Sequence, residues 1–350
     1  MEGAGSLGPD LFIEELMLLM SHTLTKMEVN ETYDVIKELG SGTYGSVQLV
    51  RHRLRGTMMA LKLLEKRRTK LRSFLREYSM SLYLSAHPFI TAVFGIAFES
   101  REHYGFVQEY APVGDLFDII QPQVGIPEAA AKRCGLQVAM ALDHLHSRNL
   151  VHCDVKPENI LLFDRECRRV KLSDFGLVRR AGLNVTHSPS AVPYMAPELC
   201  DKAAQGVGAV VGIAEDAWAF GVVLYSILTG NFPWERTSPD DPLYRSYARW
   251  QGGGAPEDTP PQWRHFTRTA GQMLKGFLAV EAKDRCALKD IVQYLNSKWL
   301  AGPQDENLPA DEGGPVGSSK EKTSGTMRDP PSCASLILRE CSGKLGPKLV

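Results

Sequence analysis

The chain has 350 residues, 43% of them apolar, and its 40 Lys and Arg against 41 Asp and Glu leave a formal net charge of −1. This is enough apolar material for one large core or two moderate ones, and the near-neutral balance excludes a global field that would draw the protein to nucleic acid or to an anionic membrane. The 7 cysteines, none in Cys-x-x-Cys spacing, exclude a disulfide framework and a zinc site and read as reduced thiols of a cytoplasmic protein.

Residues 1–32 form an N-terminal extension. Its start carries acid rather than the basic region of a secretory signal. Leu11, Phe12, Glu14, Glu15, Leu16, Leu19 and Met20 then give a partly amphipathic helical pattern after Asp10 as N-cap, which reads as a helix docked on the body. From residue 33 the runs Tyr33 to Leu39, Gly45 to Val50, Met58 to Leu64 and Gly105 to Glu109 read as strands, with one helix over Lys70 to Ser85. The basic run Lys66, Arg67, Arg68, Lys70, Arg72 reads as a solvated connector, with nuclear access as its other reading. Beyond residue 110 helical patterns dominate, at Glu128 to Ser147, Ala214 to Leu228, Ala270 to Leu278 and Leu288 to Leu295. The expectation is an α+β chain in which a strand-rich lobe (about 33–108) precedes a helical lobe (about 112–300), with a ligand site in the cleft between them. The longest apolar run, around Ala217 to Leu228, falls short of the roughly 20 residues a membrane span needs, so it reads as a buried helix. Asp201 to Gly212, rich in Gly and Ala, reads as a mobile loop, and 301–350, rich in Gly, Pro, Ser and charge, as a disordered tail.

Four motifs carry chemistry. Leu39-Gly40-Ser41-Gly42-Thr43-Tyr44-Gly45-Ser46-Val47 lies between two strand-like segments. A Rossmann loop shares its glycine spacing but would open a helix, whereas Val47 to Val50 continues as a strand; the glycines instead let a hairpin backbone close over phosphate oxygens. Lys62, in Ala60-Leu61-Lys62 on the next strand, is placed to reach those phosphates, and Glu77, in the middle of the first large helix, is its best ion-pair partner. The segment His152-Cys153-Asp154-Val155-Lys156-Pro157-Glu158-Asn159, followed by Ser173-Asp174-Phe175-Gly176, supplies the rest. Phosphoryl transfer needs a carboxylate near the attacking hydroxyl, a cation for the moving phosphate and oxygen ligands for Mg²⁺. Asp154, Lys156, Asn159 and Asp174 are those residue types in that order.

With these motifs, residues 33–300 resemble the eukaryotic protein kinase catalytic domain. The resemblance implies a two-lobed fold and an ATP- and Mg²⁺-dependent enzyme that phosphorylates protein substrates. It assigns Gly40, Gly42 and Gly45 to the phosphate-covering loop, Lys62 and Glu77 to an activating ion pair, Asp154 to the catalytic base, and Asn159 and Asp174 to Mg²⁺. It also puts Gln108 at the gatekeeper position, Glu109 to Ala111 in the hinge that meets adenine, Asp115 at the ribose, and Val47, Ala60 and Leu161 around the adenine ring. Glu198, in Ala196-Pro197-Glu198, should pair with Arg285, and Asp216 should begin a buried anchoring helix. Lys156-Pro157-Glu158 favours Ser/Thr over Tyr acceptors. Among subfamilies the chain is most similar to the SH3-binding-domain kinases, which implies an SH3-type partner for the tail, where Pro330 and Pro331 are a sparse ligand; a monomer is expected. Two departures stand out: Cys153 replaces the usual Arg beside the base, and Ala191 stands where a Thr is usual, three residues before Tyr194. They keep open a second reading, a pseudokinase that assembles partners through its fold and tail.

Overall fold

The computed structural model describes residues 9–302, apart from 43–44, 186–192, 205 and 254–257. Helix α1 (Pro9–Thr23) runs into a short strand β1 (Thr25–Lys26) and a one-turn helix α2 (Val29–Thr32). Asp10 lies inside α1 rather than capping it, because Pro9 already has the fixed φ suited to a first helical position. The face that packs is also shifted from the expected one: Ile13 and Met17 are buried, while Leu19 is exposed.

Next come β2 (Tyr33–Gly42), β3 (Gly45–His52), β4 (Met58–Glu65), helix α3 (Leu71–Leu84), β5 (Val93–Glu99) and β6 (His103–Glu109). They form a sheet in the order β1-β5-β6-β4-β3-β2. The alternation of a strand places Leu61 and Leu63 in a small core with Val50 and Val107 on one face of this sheet, and sends Ala60 and Lys62 to the other. α3 lies across that other face, where Phe74 stacks on Tyr104 and Tyr78 packs tilted against Phe106. Around the start of α3 the basic side chains form ion pairs, Lys66 with Glu99, Arg67 and Arg68 with Glu65, and Arg72 of the first turn with Glu14.

The helical lobe follows a short β7 (Gly114–Asp115). Helix α4 (Glu128–His146) leads to β8 (Leu150–Val151), a 3₁₀ turn at Pro157–Asn159, β9 (Ile160–Leu162), β10 (Val170–Leu172), β11 (Arg179–Arg180) and β12 (Asn184–Val185). After it come α5 (Pro197–Ala204), β13 (Ala209–Val210), α6 (Ile213–Thr229), α7 (Pro242–Gln251), α8 (Arg268–Phe277) and a 3₁₀ stretch at Leu288–Tyr294, where a helix was expected. Every residue of α6 from Glu215 to Thr229 is buried, so its apolar run is a core helix. Among the described residues no helix is long and apolar enough to cross a membrane. The expectation of a mobile loop over Asp201 to Gly212 is corrected in part: α5 continues through Ala204, and β13 pairs antiparallel with β12, Asn184 opposite Val210 and Val185 opposite Ala209. The tail expected to be disordered lies outside the described residues from 303 onward.

Candidate active site

The cleft between sheet and helical lobe is lined by Leu39, Gly40, Val47, Ala60 and Gln108 above, by Glu109 and Ala111 at the back, and by Asp115, Asn159, Leu161 and Asp174 below. Lys62 and Glu77 close its inner end. An apolar slot thus ends in a group of charges. Gly42 and Gly45 lie in the hairpin beyond this lining, and their reasons differ. A side chain at Gly40 or Gly42 would meet open space, whereas one at Gly45 would collide with the Leu63 carbonyl, so Gly45 is required by the close approach of β3 to β4.

Lys62 Nζ lies 2.6 Å from Glu77 Oε1 and 3.1 Å from Asp174 Oδ1. Burial alone would depress the Lys62 ammonium, but Glu77 and then Asp174 outweigh it and hold the lysine charged. Burial likewise opposes ionisation of Asp174, yet Lys62 keeps its carboxyl below the usual range. Asp174 takes a left-handed conformation with φ 61°, which turns its carboxylate toward Lys62. Gly176 follows because a Cβ there would lie 3.1 Å from Glu77 Oε2. Phe175 is buried edge-on against His152, ring centroids 5.5 Å apart.

The loop that carries Asp154 hangs from α6. Asp216, 1% exposed, accepts the backbone N–H of His152 at 2.8 Å and of Cys153 at 3.0 Å, and His146 Nε2 lies 2.8 Å from the same carboxylate. Cys153 has φ 65°, and its buried thiol is pushed far up by desolvation and by Asp216 and Glu215. The His152 Nδ1 accepts the Asp154 N–H at 3.3 Å. Lys156 Nζ donates to both Asp154 oxygens, at 2.7 and 3.0 Å, and Asn159 Nδ2 donates to Asp154 Oδ2 at 2.8 Å. The carboxylate of Asp154 is therefore held by two donors, Lys156 and the Asn159 that lines the cleft.

Glu109 meets the cleft while its carboxylate is engaged elsewhere, by Arg169, Lys171 and the Ala92 N–H. Asp115 accepts the Asp118 N–H, and burial raises its carboxyl. Ala191, Thr186, Ser188 and Ser190 lie outside the described residues. Among the described residues no group of three or more His, Cys, Asp or Glu side chains converges as a metal cage. The donor set suits Mg²⁺ held by Asn159 and Asp174, an ion that ordinarily takes one or two protein ligands and completes its shell from phosphate and water.

The sequence reading missed Thr91, Val93 and Phe106, which also line the inner cleft. Alternation could have found Phe106, two residues before Gln108. Thr91 precedes β5 and Val93 begins it, and the pattern of that strand is broken by Gly95 at φ 69° and by a register irregularity between Val93 and Ala97.

The sequence profile of the family described as protein kinase domain matches residues 33–300. A serine/threonine-protein kinase SBK1 of Danio rerio is 56% identical over 290 residues, covering 82% of this chain and 74% of that protein. The SBK1 of Mus musculus is 45% identical over 347 residues, 94% of this chain and 83% of the relative, and the serine/threonine-protein kinase SBK2 of Homo sapiens is 43% identical over 288 residues, 82% and 83%. With the assembled cleft, these similarities establish that the chain belongs to the protein kinase family, as a serine/threonine-protein kinase of the SH3-binding-domain kinase group.

Proposed function

We propose that Lys62, Asn159, Asp174 and Asp154 carry the phosphoryl transfer of this kinase, in separate roles. The observation that supports this most is the Lys62–Glu77–Asp174 arrangement, one lysine within ion-pair distance of both carboxylates. Bound Mg-ATP supplies the phosphoryl group and the divalent charge that offsets its oxygens. Val47, Ala60 and Leu161 bound an apolar slot suited to a planar base, with Leu39 at its rim and the hinge from Glu109 to Ala111 behind it. Gly40 and Gly42 leave the hairpin free of side chains over the phosphates, and Asp115 stands where a ribose hydroxyl would be met. Lys62 is placed to neutralise phosphate oxygens, and Asn159 and Asp174 would hold the metal. Asp154 orients the acceptor hydroxyl and takes its proton, while Lys156, bound to the same carboxylate, offsets charge on the phosphate in flight.

The protein acts on Ser or Thr in other proteins as a cytoplasmic monomer, and an SH3-type domain is the partner suited to its tail. The free thiols Cys134, Cys153, Cys167, Cys200 and Cys286 support a reducing compartment. The rival reading, a pseudokinase scaffold, draws on Cys153 and Ala191. Purified protein with labelled ATP, Mg²⁺ and a Ser/Thr/Tyr peptide library decides between them. Metal-dependent label on Ser and Thr peptides is expected; nucleotide binding without transfer would establish the scaffold instead.

A further inference from the structure

Helix α3 carries Glu77 but is poorly secured by its own sequence. Its N-cap, Lys70, makes no side-chain cap, and its first turn holds Arg72 and no acidic residue, the wrong sign for the positive end of a helix dipole. What that turn lacks comes from α1: Glu14 pairs with Arg72 at 2.8 Å. Along the same helix Ile13 and Met17, one turn apart and 3% and 5% exposed, enter the core cluster that contains Phe74, Leu75 and Tyr78 of α3. Phe12 packs its ring against Tyr83 of α3, centroids 5.3 Å apart, and Met20 and Leu24 pack against the same core cluster. Directly after α1, β1 joins the sheet edge in parallel with β5, Thr25 opposite Phe98, and the Met27 N–H donates to the Glu99 carbonyl. The segment from 12 to 27 therefore spans the joint between α3 and the sheet, the two bodies that contribute Glu77 and Lys62.

We propose that Ile13 and Met17 are positioning residues for the phosphotransfer reaction: seated on α3, they hold Glu77 against Lys62, so that the N-terminal segment is an activator built into the chain. The proposal rests on the assignment of Lys62 and Glu77 to the active site. It explains how the ion pair is closed in a kinase whose Cys153 offers no cation for a phosphate-driven ordering of the cleft.

The test uses the full chain carrying Ile13→Asp and Met17→Asp together, assayed on a Ser/Thr peptide with hydrogen exchange of 9–23 and 71–84 measured in parallel. With α1 released, kcat should fall on the order of tenfold, within the 5–150-fold range usual for coupling between sites. Exchange in α3 should rise while that of α6 stays unchanged, and KM for the peptide should hold. Ile13→Val with Met17→Leu should keep full activity. Exchange-labile α1 amides with undiminished kcat would overturn the proposal. If the unmutated protein itself transfers no phosphate, the reading of the active site falls first.

Discussion

Replacing Asp154 by Asn is expected to lower turnover by about 10²–10⁴-fold, the usual cost of a lost general base, with nucleotide affinity held. Asp154 does not line the cleft, where Lys62, Asn159 and Asp174 remain in place. An amide at 154 keeps an oxygen for the Asn159 N–H and can still accept from Lys156, so the loop geometry survives. The proton acceptor does not. Steady-state rates on a Ser/Thr peptide, set beside nucleotide titration of the same sample, check both halves. An unchanged rate would remove Asp154 from the chemical step.

Arg285→Ala should cost on the order of 3–5 kcal/mol, the range for breaking a buried pair from one side. The Arg285 side chain is 1% exposed and binds Glu198 through two parallel hydrogen bonds of 2.7 Å each. It also donates to the carbonyls of Ala279, Ala214 and Val280, and its guanidinium lies 4.9 Å from the Trp218 ring centroid. Truncation leaves these acceptors unpaired at the junction of α5, α6 and α8. Glu198 is 32% exposed and can recover water, which places the loss toward the lower end. At about 2–4 °C per kcal/mol for a domain of 150–250 residues, a loss of about 3 kcal/mol should lower the melting temperature by roughly 6–12 °C. Glu198→Gln, which keeps an acceptor for Arg285, should cost less. A melting curve unchanged by Arg285→Ala would contradict the role of this pair.

The charged groups of the site were legible in the sequence because phosphoryl transfer demands particular residue types at short, fixed spacing. Asp154, Lys156 and Asn159 fall within six residues, and the fold brings them into one hydrogen-bonded group. Lys62 was recognisable by its strand after the glycine hairpin, and Glu77 by its place in the only helix of the smaller lobe that the sequence revealed. Packing faces were harder. In α1 apolar residues occur nearly all round, so periodicity could not choose Ile13 and Met17 over Leu16 and Leu19; the facing surface of α3 made that choice. α7 was missed although Asp241-Pro242 is a legible start: Asp241 caps it by accepting the N–H groups of Leu243 and Tyr244. The pairing of β12 with β13 depends on a non-local partner and leaves no local signal.

That pairing bears on how the kinase is switched. The stretch after Asp174 is held twice, by β11 on β8 and by β12 on β13. Cys153 cannot receive a phosphate, and Arg179 Nη1 already donates to the Gly176 and Val178 carbonyls. The catalytic groups should therefore stand ready without phosphate on the segment. The most direct measurement compares initial rates on one Ser/Thr peptide for untreated protein, phosphatase-treated protein and the Thr186→Ala, Ser188→Ala, Ser190→Ala triple variant. Near-equal rates are the predicted result. A large loss in both altered samples would contradict a preassembled site and point to Arg179 and the neighbouring Arg76 as phosphate receptors.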